Sequence, residues 1–324
     1  MREISYAEAI REALLEEMEA DSSVFLMGED IGVFGGVFGV TKGLLEQFGE
    51  ERVRDTPISE AAIIGAGLGA AMMGMRPVVE IMFGDFLFCA GDQIGNQVAK
   101  ARFMSGGKAN VPLTIRVTTG APGSAGAQHS QSVEAWFMNV PGLKIVTPAS
   151  PADAKGLLKT AIRGEDPVLF LEHKMLYDTR GRVPEDPNHA VAFGEASVPR
   201  AGHDVTLIAF GGMVRQALQA ADQLAADGIS AEVVDPRTLV PLDRKTLIES
   251  VTKTSRVVIA YEGHLRLGVG AEIAAVLAEE AIEYLDGPIV RVAAKNVPLP
   301  YSPDLESYVL PGAADIVEAA KGLC

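Results

Sequence analysis

The chain has 324 residues, 48% hydrophobic and 22% charged, with 43 acidic and 28 basic residues for a formal charge of −15. This is the composition of an ordinary globular protein long enough for about two domains, and its acidic excess offers no basic stripe, which argues against nucleic acid and anionic membrane as partners. Cys89 and Cys324 are the only cysteines, too few for a disulfide framework or a CxxC metal site, so a reducing, cytoplasmic setting is expected.

Met1 runs straight into "REISYAEAI" with no apolar signal segment. Ser5 to Glu8 form a capping box, and Tyr6, Ile10, Ala13, Leu14 and Met18 follow at helical spacing. A strand is predicted over 24–27. Then comes "DTPISE" (55–60), followed by fifteen uncharged residues, 61–75, too few for the roughly 20 that a membrane span needs. Thr56 as cap and Pro57 at the first helical position predict a helix from Pro57 to about Met73, with Glu60 in its first turn. An acid there is favoured by the helix dipole alone, so Glu60 has an ordinary structural explanation as well as a catalytic one.

Gly65, Gly67 and Ala70 spell GxGxxA, with Glu80 downstream where an acid could bind a ribose. That opens a second reading, a Rossmann-type dinucleotide-dependent oxidoreductase. The fingerprint needs a strand before the first glycine and a full helix after it, and the chain between Ala70 and Glu80 is too short for one. Small residues for close helix packing suit the pattern better.

Further strands are predicted over 76–83, 111–117, 144–149 and 167–173, with helices over 91–104 and 152–163 between them. Near-continuous apolar strands alternating with helices imply a mainly parallel sheet covered on both faces. The stretch 178–196, rich in Pro, Gly and charge, is expected to be a linker. Beyond it strands over 204–211, 231–236, 256–263 and 288–294 alternate with helices, so the fold class is α/β with two domains, 1–185 and 186–324.

The glycine-rich segment 118–132 follows a predicted strand and carries His129 between Gln128 and Ser130. A mobile loop with a solvated histidine is one explanation. No GxSxG elbow supports a nucleophile triad, and the five histidines show no HxH or HxxxH spacing for a metal. At the C-terminal edge of a parallel sheet His129 is placed to act as acid, base or hydrogen-bond donor.

The blocks "GEDIG", "RVRDTPISEAAIIGAGLGAAMMGMRPVVEIMF", "DQIGNQVAKARFMSGGK", "QHSQS", "PGLKIVTPASPADAKGLLKTAIRGEDPVLFLEHKMLY" and "DVTLIAFGGMVRQALQAADQLAADGISAEVVDPRTLVPLD" together resemble the β subunit of thiamine-diphosphate-dependent 2-oxoacid dehydrogenases, acetoin dehydrogenases included. The resemblance runs from Ile4 to the last helix. It implies a transketolase-like pyrimidine-binding domain, a transketolase-like C-terminal domain, and one half of an α2β2 decarboxylating component that passes its product to a lipoyl acyltransferase. By the same resemblance Glu60 hydrogen-bonds the aminopyrimidine ring nitrogen, favouring the imino tautomer whose nitrogen removes the thiazolium proton. Phe86 stacks on the pyrimidine, Ile58 contacts it, and His129 stands at the substrate and lipoyl entrance. Asp92 belongs to an acidic chain linking paired active sites, and backbone carbonyls near Ala161 and Asp166 hold a monovalent cation such as K⁺. The GDG motif through which relatives bind Mg²⁺ and the diphosphate is missing, "GDF" at 84 and "GDQ" at 91 being the nearest strings, so those ligands are expected from an α subunit. A non-catalytic docking subunit remains an alternative from a different class. "EHKMLYDTRG" (172–181) leans towards acetoin among the substrates.

Overall fold

The computed structural model describes every residue except Pro122. Its described residues fall into two units, Met1–Thr119 with Trp136–Phe193, and Gly120–Ala135 with Gly194–Cys324. The element order is β1 (Arg2–Ser5), α1 (Tyr6–Ala20), β2 (Val24–Gly28), α2 (Leu44–Phe48), β3 (Val53–Asp55), α3 (Glu60–Met72), β4 (Arg76–Ile81), a 3-10 turn (Gly84–Ala90), a π-helical turn (Gln93–Val98), α4 (Ala99–Met104), β5 (Thr114–Thr119), α5 (Glu134–Met138), β6 (Lys144–Val146), α6 (Pro151–Arg163), β7 (Val168–His173) and β8 (Arg180–Val183). It continues with β9 (Ser197–Arg200), β10 (Val205–Ala209), α7 (Met213–Ala226), β11 (Ala231–Asp235), β12 (Thr238–Val240), α8 (Arg244–Thr254), β13 (Val257–His264), α9 (Val269–Glu280), β14 (Val290–Ala294), α10 (Pro303–Val309) and α11 (Ala313–Lys321).

In the first unit the strands lie in the order β6-β7-β5-β4-β2-β3, and each neighbouring pair is parallel. Every residue of β2, β5 and β7 is buried, as expected of strands covered on both faces. The α1 capping box forms: Ser5 Oγ accepts from the Glu8 amide at 3.1 Å, and Glu8 Oε2 accepts from the Ser5 amide at 2.7 Å. Behind it Tyr6, Ile10, Leu14 and Met18 join Leu157, Leu158 and Phe170 in one core cluster. The contact of α1 with α6 is also ionic: Lys155 and Lys159, both fully buried, meet Glu12, Glu16 and Glu17.

Three expectations need correction. The helix carrying Glu60 begins at Glu60 with Ser59 as its cap residue, and no side chain caps it. Thr56 does not cap it: its buried Oγ1 meets no hydrogen-bond partner among the described residues, while its amide donates to the Gly28 carbonyl at 3.0 Å. The region 91–104 is not one α-helix, since Gln93–Val98 winds as a π turn before α4. The stretch 178–196 is not all linker: β8 pairs antiparallel with β1, Arg2 opposite Val183 and Ser5 opposite Arg180. Its charged residues stand on a two-stranded ribbon where charge meets solvent.

In the second unit a five-stranded sheet runs β14-β13-β10-β11-β9, parallel except for the β9 edge. The wholly buried β10 and β11 explain the uninterrupted apolar runs of the sequence. The chain divides at Phe193/Gly194, and Gly120–Ala135 clusters with the second unit. No helix among the described residues is long and apolar enough to cross a membrane.

Candidate active site

β2 ends at Gly28, where a Cβ would stand 2.8 Å from the Glu80 carbonyl oxygen, so a glycine is required as the chain turns out of the sheet. The next residue, Glu29, is 9% exposed. Burial pushes its carboxyl up from the ordinary glutamate range, and the charges of Glu60 and then Asp30 add to the effect. Glu29 and Glu60 thus form a pair of carboxyl groups in one electrostatic field, the first from a strand end and the second from the first position of α3. The loop after β2 is tied to the same place by Asp55, whose Oδ1 accepts from the Gly32 amide at 2.7 Å.

The other residues singled out in the sequence differ in exposure. Ile58 is 82% exposed. Phe86 lies half-buried in the 3-10 turn, its ring edge-on to Phe83 at 5.7 Å, and Phe83 is edge-on to Phe38 at 6.1 Å. Asp92 is exposed at the start of the π turn, where Asn96 donates to it at 2.7 Å; Asn96 first and then Gln97 hold its carboxyl below the usual range.

The glycines of the GxGxxA string sit inside α3, which disposes of the dinucleotide fingerprint. A Cβ on Gly67 would lie 2.9 Å from Val79 Cγ1 and 3.0 Å from Leu113 Cδ1, so this glycine lets the helix approach the sheet. Glu80, the candidate ribose ligand, is bound elsewhere: its Oε2 takes Arg116 Nη1 at 2.6 Å. Arg116 is buried and also forks onto Glu172 at 2.7 and 2.8 Å, while Tyr177 donates to Glu172 at 2.9 Å. Burial works against the guanidinium charge, but Glu172 and Glu80 outweigh it and keep Arg116 protonated. Sequence reading missed this triad and Glu29. The available signal was a charge inside each of three apolar strands, and an acid directly after a fourth.

His129 is half-buried in the loop of the second unit, its amide 3.5 Å from the Gly126 carbonyl. Ala161 is buried in α6. The Asp166 carboxylate is taken by Arg102 at 2.6 Å and Lys144 at 2.9 Å. The carbonyls of Ile162 and Gly164 beside them accept from Arg76 at 3.0 and 2.7 Å. Among the described residues no three His, Cys, Asp or Glu side chains group as metal ligands.

Residues 2–179 match the transketolase pyrimidine-binding domain and residues 194–316 the transketolase C-terminal domain. A solved "Split gene transketolase, inactive beta4 tetramer" superposes with a TM-score of 0.81 at 27% identity, covering 99% of this chain and 98% of that one. The class is therefore transketolase-like. Within it, the chain is 49% identical to the "Pyruvate dehydrogenase E1 component subunit beta-1, mitochondrial" of Oryza sativa subsp. japonica, over 100% of this chain and 87% of that protein. It is 49% identical to the "2-oxoisovalerate dehydrogenase subunit beta" of Bacillus subtilis, over 99% and 98%. It is 48% identical to that organism's "Acetoin:2,6-dichlorophenolindophenol oxidoreductase subunit beta", over 99% and 97%. The chain belongs to the family of β subunits of 2-oxoacid and acetoin dehydrogenases.

Proposed function

We propose that this chain is the β subunit of an α2β2 thiamine-diphosphate enzyme that cleaves acetoin or a 2-oxoacid and passes the acyl or hydroxyalkyl-derived unit to the lipoyl group of an acyltransferase partner. The observation that carries the reading is Glu60 at the mouth of an otherwise uncharged helix, in a domain that matches a pyrimidine-binding family, with buried Glu29 within reach of its charge. A ring nitrogen and its amino group need a carboxyl partner and an apolar face. Glu60 fits the first requirement, and half-buried Phe86 with exposed Ile58 fits the second.

When bound, the cofactor supplies a carbon nucleophile and an electron sink. This chain's residues do the rest. Glu60 would share a proton with the ring nitrogen, and Glu29 would restrict how much negative charge gathers there. Phe86 and Ile58 would offer the ring an apolar face. His129 donates a proton or hydrogen bond at the entrance where the acceptor dithiolane arrives. Mg²⁺ and diphosphate would be held by the α partner, since this chain has no GDG motif. A monovalent cation near Ala161 and Asp166 would rest on backbone oxygens alone, because the Asp166 carboxylate is already doubly paired. Asp92 is reserved for communication between paired sites.

Reconstitution with the α partner, assayed with acetoin, pyruvate and 2-oxoisovalerate and an artificial electron acceptor, tests the proposal. Turnover of one of the three is expected. If all three stand idle in an assembled enzyme that binds thiamine diphosphate, the proposed activity is lost.

A further inference from the structure

The loop that carries His129 has no regular structure, yet two carboxylates of the second unit hold its backbone. At the neck, the Gly120 amide reaches the Gln131 carbonyl at 3.3 Å. There Glu262 Oε1, on β13, accepts from the Ala121 amide at 2.6 Å and from Ser132 Oγ at 3.3 Å, one group from each side of the neck. At the crest, Glu306 on α10 is only 3% exposed and points both carboxylate oxygens at successive amides. It accepts from Gly123 at 3.2 Å and from Ser124 at 3.2 and 3.1 Å. Ser124 sits at φ 51°, and consecutive amides turned to one side in this way make an anion-binding concavity. Here the anion is a side chain of the protein itself. Ala121, fully buried, packs with Ala294, Leu299 and Val309, so the loop is also rooted in apolar contact.

We infer that Glu306 and Glu262 are positioning residues for His129, clamping its loop to the C-terminal unit so that the imidazole is presented at a fixed place. The inference rests on the functional reading of His129 given above. Charge-assisted bonds to backbone amides are about twice as strong as neutral ones, and a buried carboxylate has no water to take their place. A loop of small residues with glycines at 120, 123 and 126 has no stiffness of its own to replace the clamp.

The test uses Glu306→Ala, the near-isosteric Glu306→Gln in case the alanine variant folds poorly, and Glu262→Ala, each in the full chain. Hydrogen exchange at the amides of Gly123 and Ser124 for the Glu306 variants, and of Ala121 for Glu262→Ala, should accelerate about tenfold or more, with the glutamine variant intermediate. In the α-reconstituted enzyme, lipoyl-acceptor turnover should fall about 10²-fold, the scale of a misplaced catalytic group. Thiazolium proton exchange, which depends on Glu60, should stay at the wild-type rate. In a His129→Ala background Glu306→Ala should cost less than about threefold more, because the two residues then act as one. Unchanged amide protection, a full additional loss in the double variant, or a parallel loss of thiazolium exchange overturns the clamp. A fully active His129→Ala would instead strike the reading of His129, and the amide-exchange result would still decide whether the clamp exists.

Discussion

Burial first, and the charge of Glu60 second, push the carboxyl of Glu29 up from the ordinary glutamate range. A folded-state value above the unfolded one means that the folded protein binds that proton more tightly. The stability it lends is complete below the ordinary value of 4.5 and is lost as pH rises through the raised one. Glu29→Gln should therefore match wild type near pH 4 and melt higher at neutral pH, by about 2–4 °C for each kcal/mol recovered, while catalysis falls. Melting curves between pH 4 and 8 decide it, and a lower melting point at neutral pH would remove Glu29 from the pair. Glu60→Gln makes the complementary prediction. The amide fits the same space at the start of α3, and the dipole contribution at stake is about 0.3–1 kcal/mol, so assembly should hold. Thiazolium proton exchange should slow by roughly 10²-fold or more, because an amide cannot share a proton with a ring nitrogen. Normal exchange with a lowered melting point would return Glu60 to a simple helix start.

The contact between α1 and α6 rests on ions that the sequence shows only as scattered charges. Lys159 is fully buried against Glu16, Glu17 and the Pro187 carbonyl. Without it Glu16 keeps Lys155 and Glu17 keeps Arg163, but each loses one of two cations and the Pro187 carbonyl loses its donor, so Lys159→Met should cost about 2 kcal/mol, read from denaturant unfolding. A loss below about 1 kcal/mol would place the cluster with ordinary surface pairs. Burial alone would raise the carboxyl of Glu16, but hydrogen bonds from Lys155 and Lys159 outweigh it and the net shift is down. Its contribution is thus present above the ordinary 4.5 and lost as pH falls through the lower folded value, and Glu16→Gln should flatten that acid limb. At this scale the sequence was legible where local chemistry decides. The α1 capping box and the apolar face behind Ser5 needed no partner to be read. The start of α3 was misplaced because Thr56 still continues the β2–β3 pairing, its amide donating to Gly28 of the neighbouring strand, and the helix begins only at Glu60. The π turn at Gln93–Val98 carries no sequence signature, since one added residue per turn changes no side-chain type.

For the whole molecule, alternation of apolar strands and helices was enough to give two α/β units with mainly parallel sheets, because period and burial are written along the chain. Membership of Gly120–Ala135 was not, since it depends on Glu262 and Glu306, some 130 to 190 residues further on. Glu60 and His129 could be singled out from their motifs, whereas Glu29 and Arg116 gain meaning only from neighbours in space. The same distribution bears on cofactor affinity. With −15 net charge and no GDG motif, this chain offers a diphosphate little attraction, and the contact proposed for Glu60 would reach only the pyrimidine end. Alone it should therefore bind thiamine diphosphate weakly, with Mg²⁺ making little difference. Adding the α partner should tighten binding by at least about 10²-fold and make it Mg²⁺-dependent, since the metal offsets charge that water otherwise screens. Calorimetry on the separate and mixed subunits gives both numbers. Tight, metal-dependent binding by this chain alone would mean that it contains a complete diphosphate site, and the division of the cofactor between two subunits would have to be abandoned.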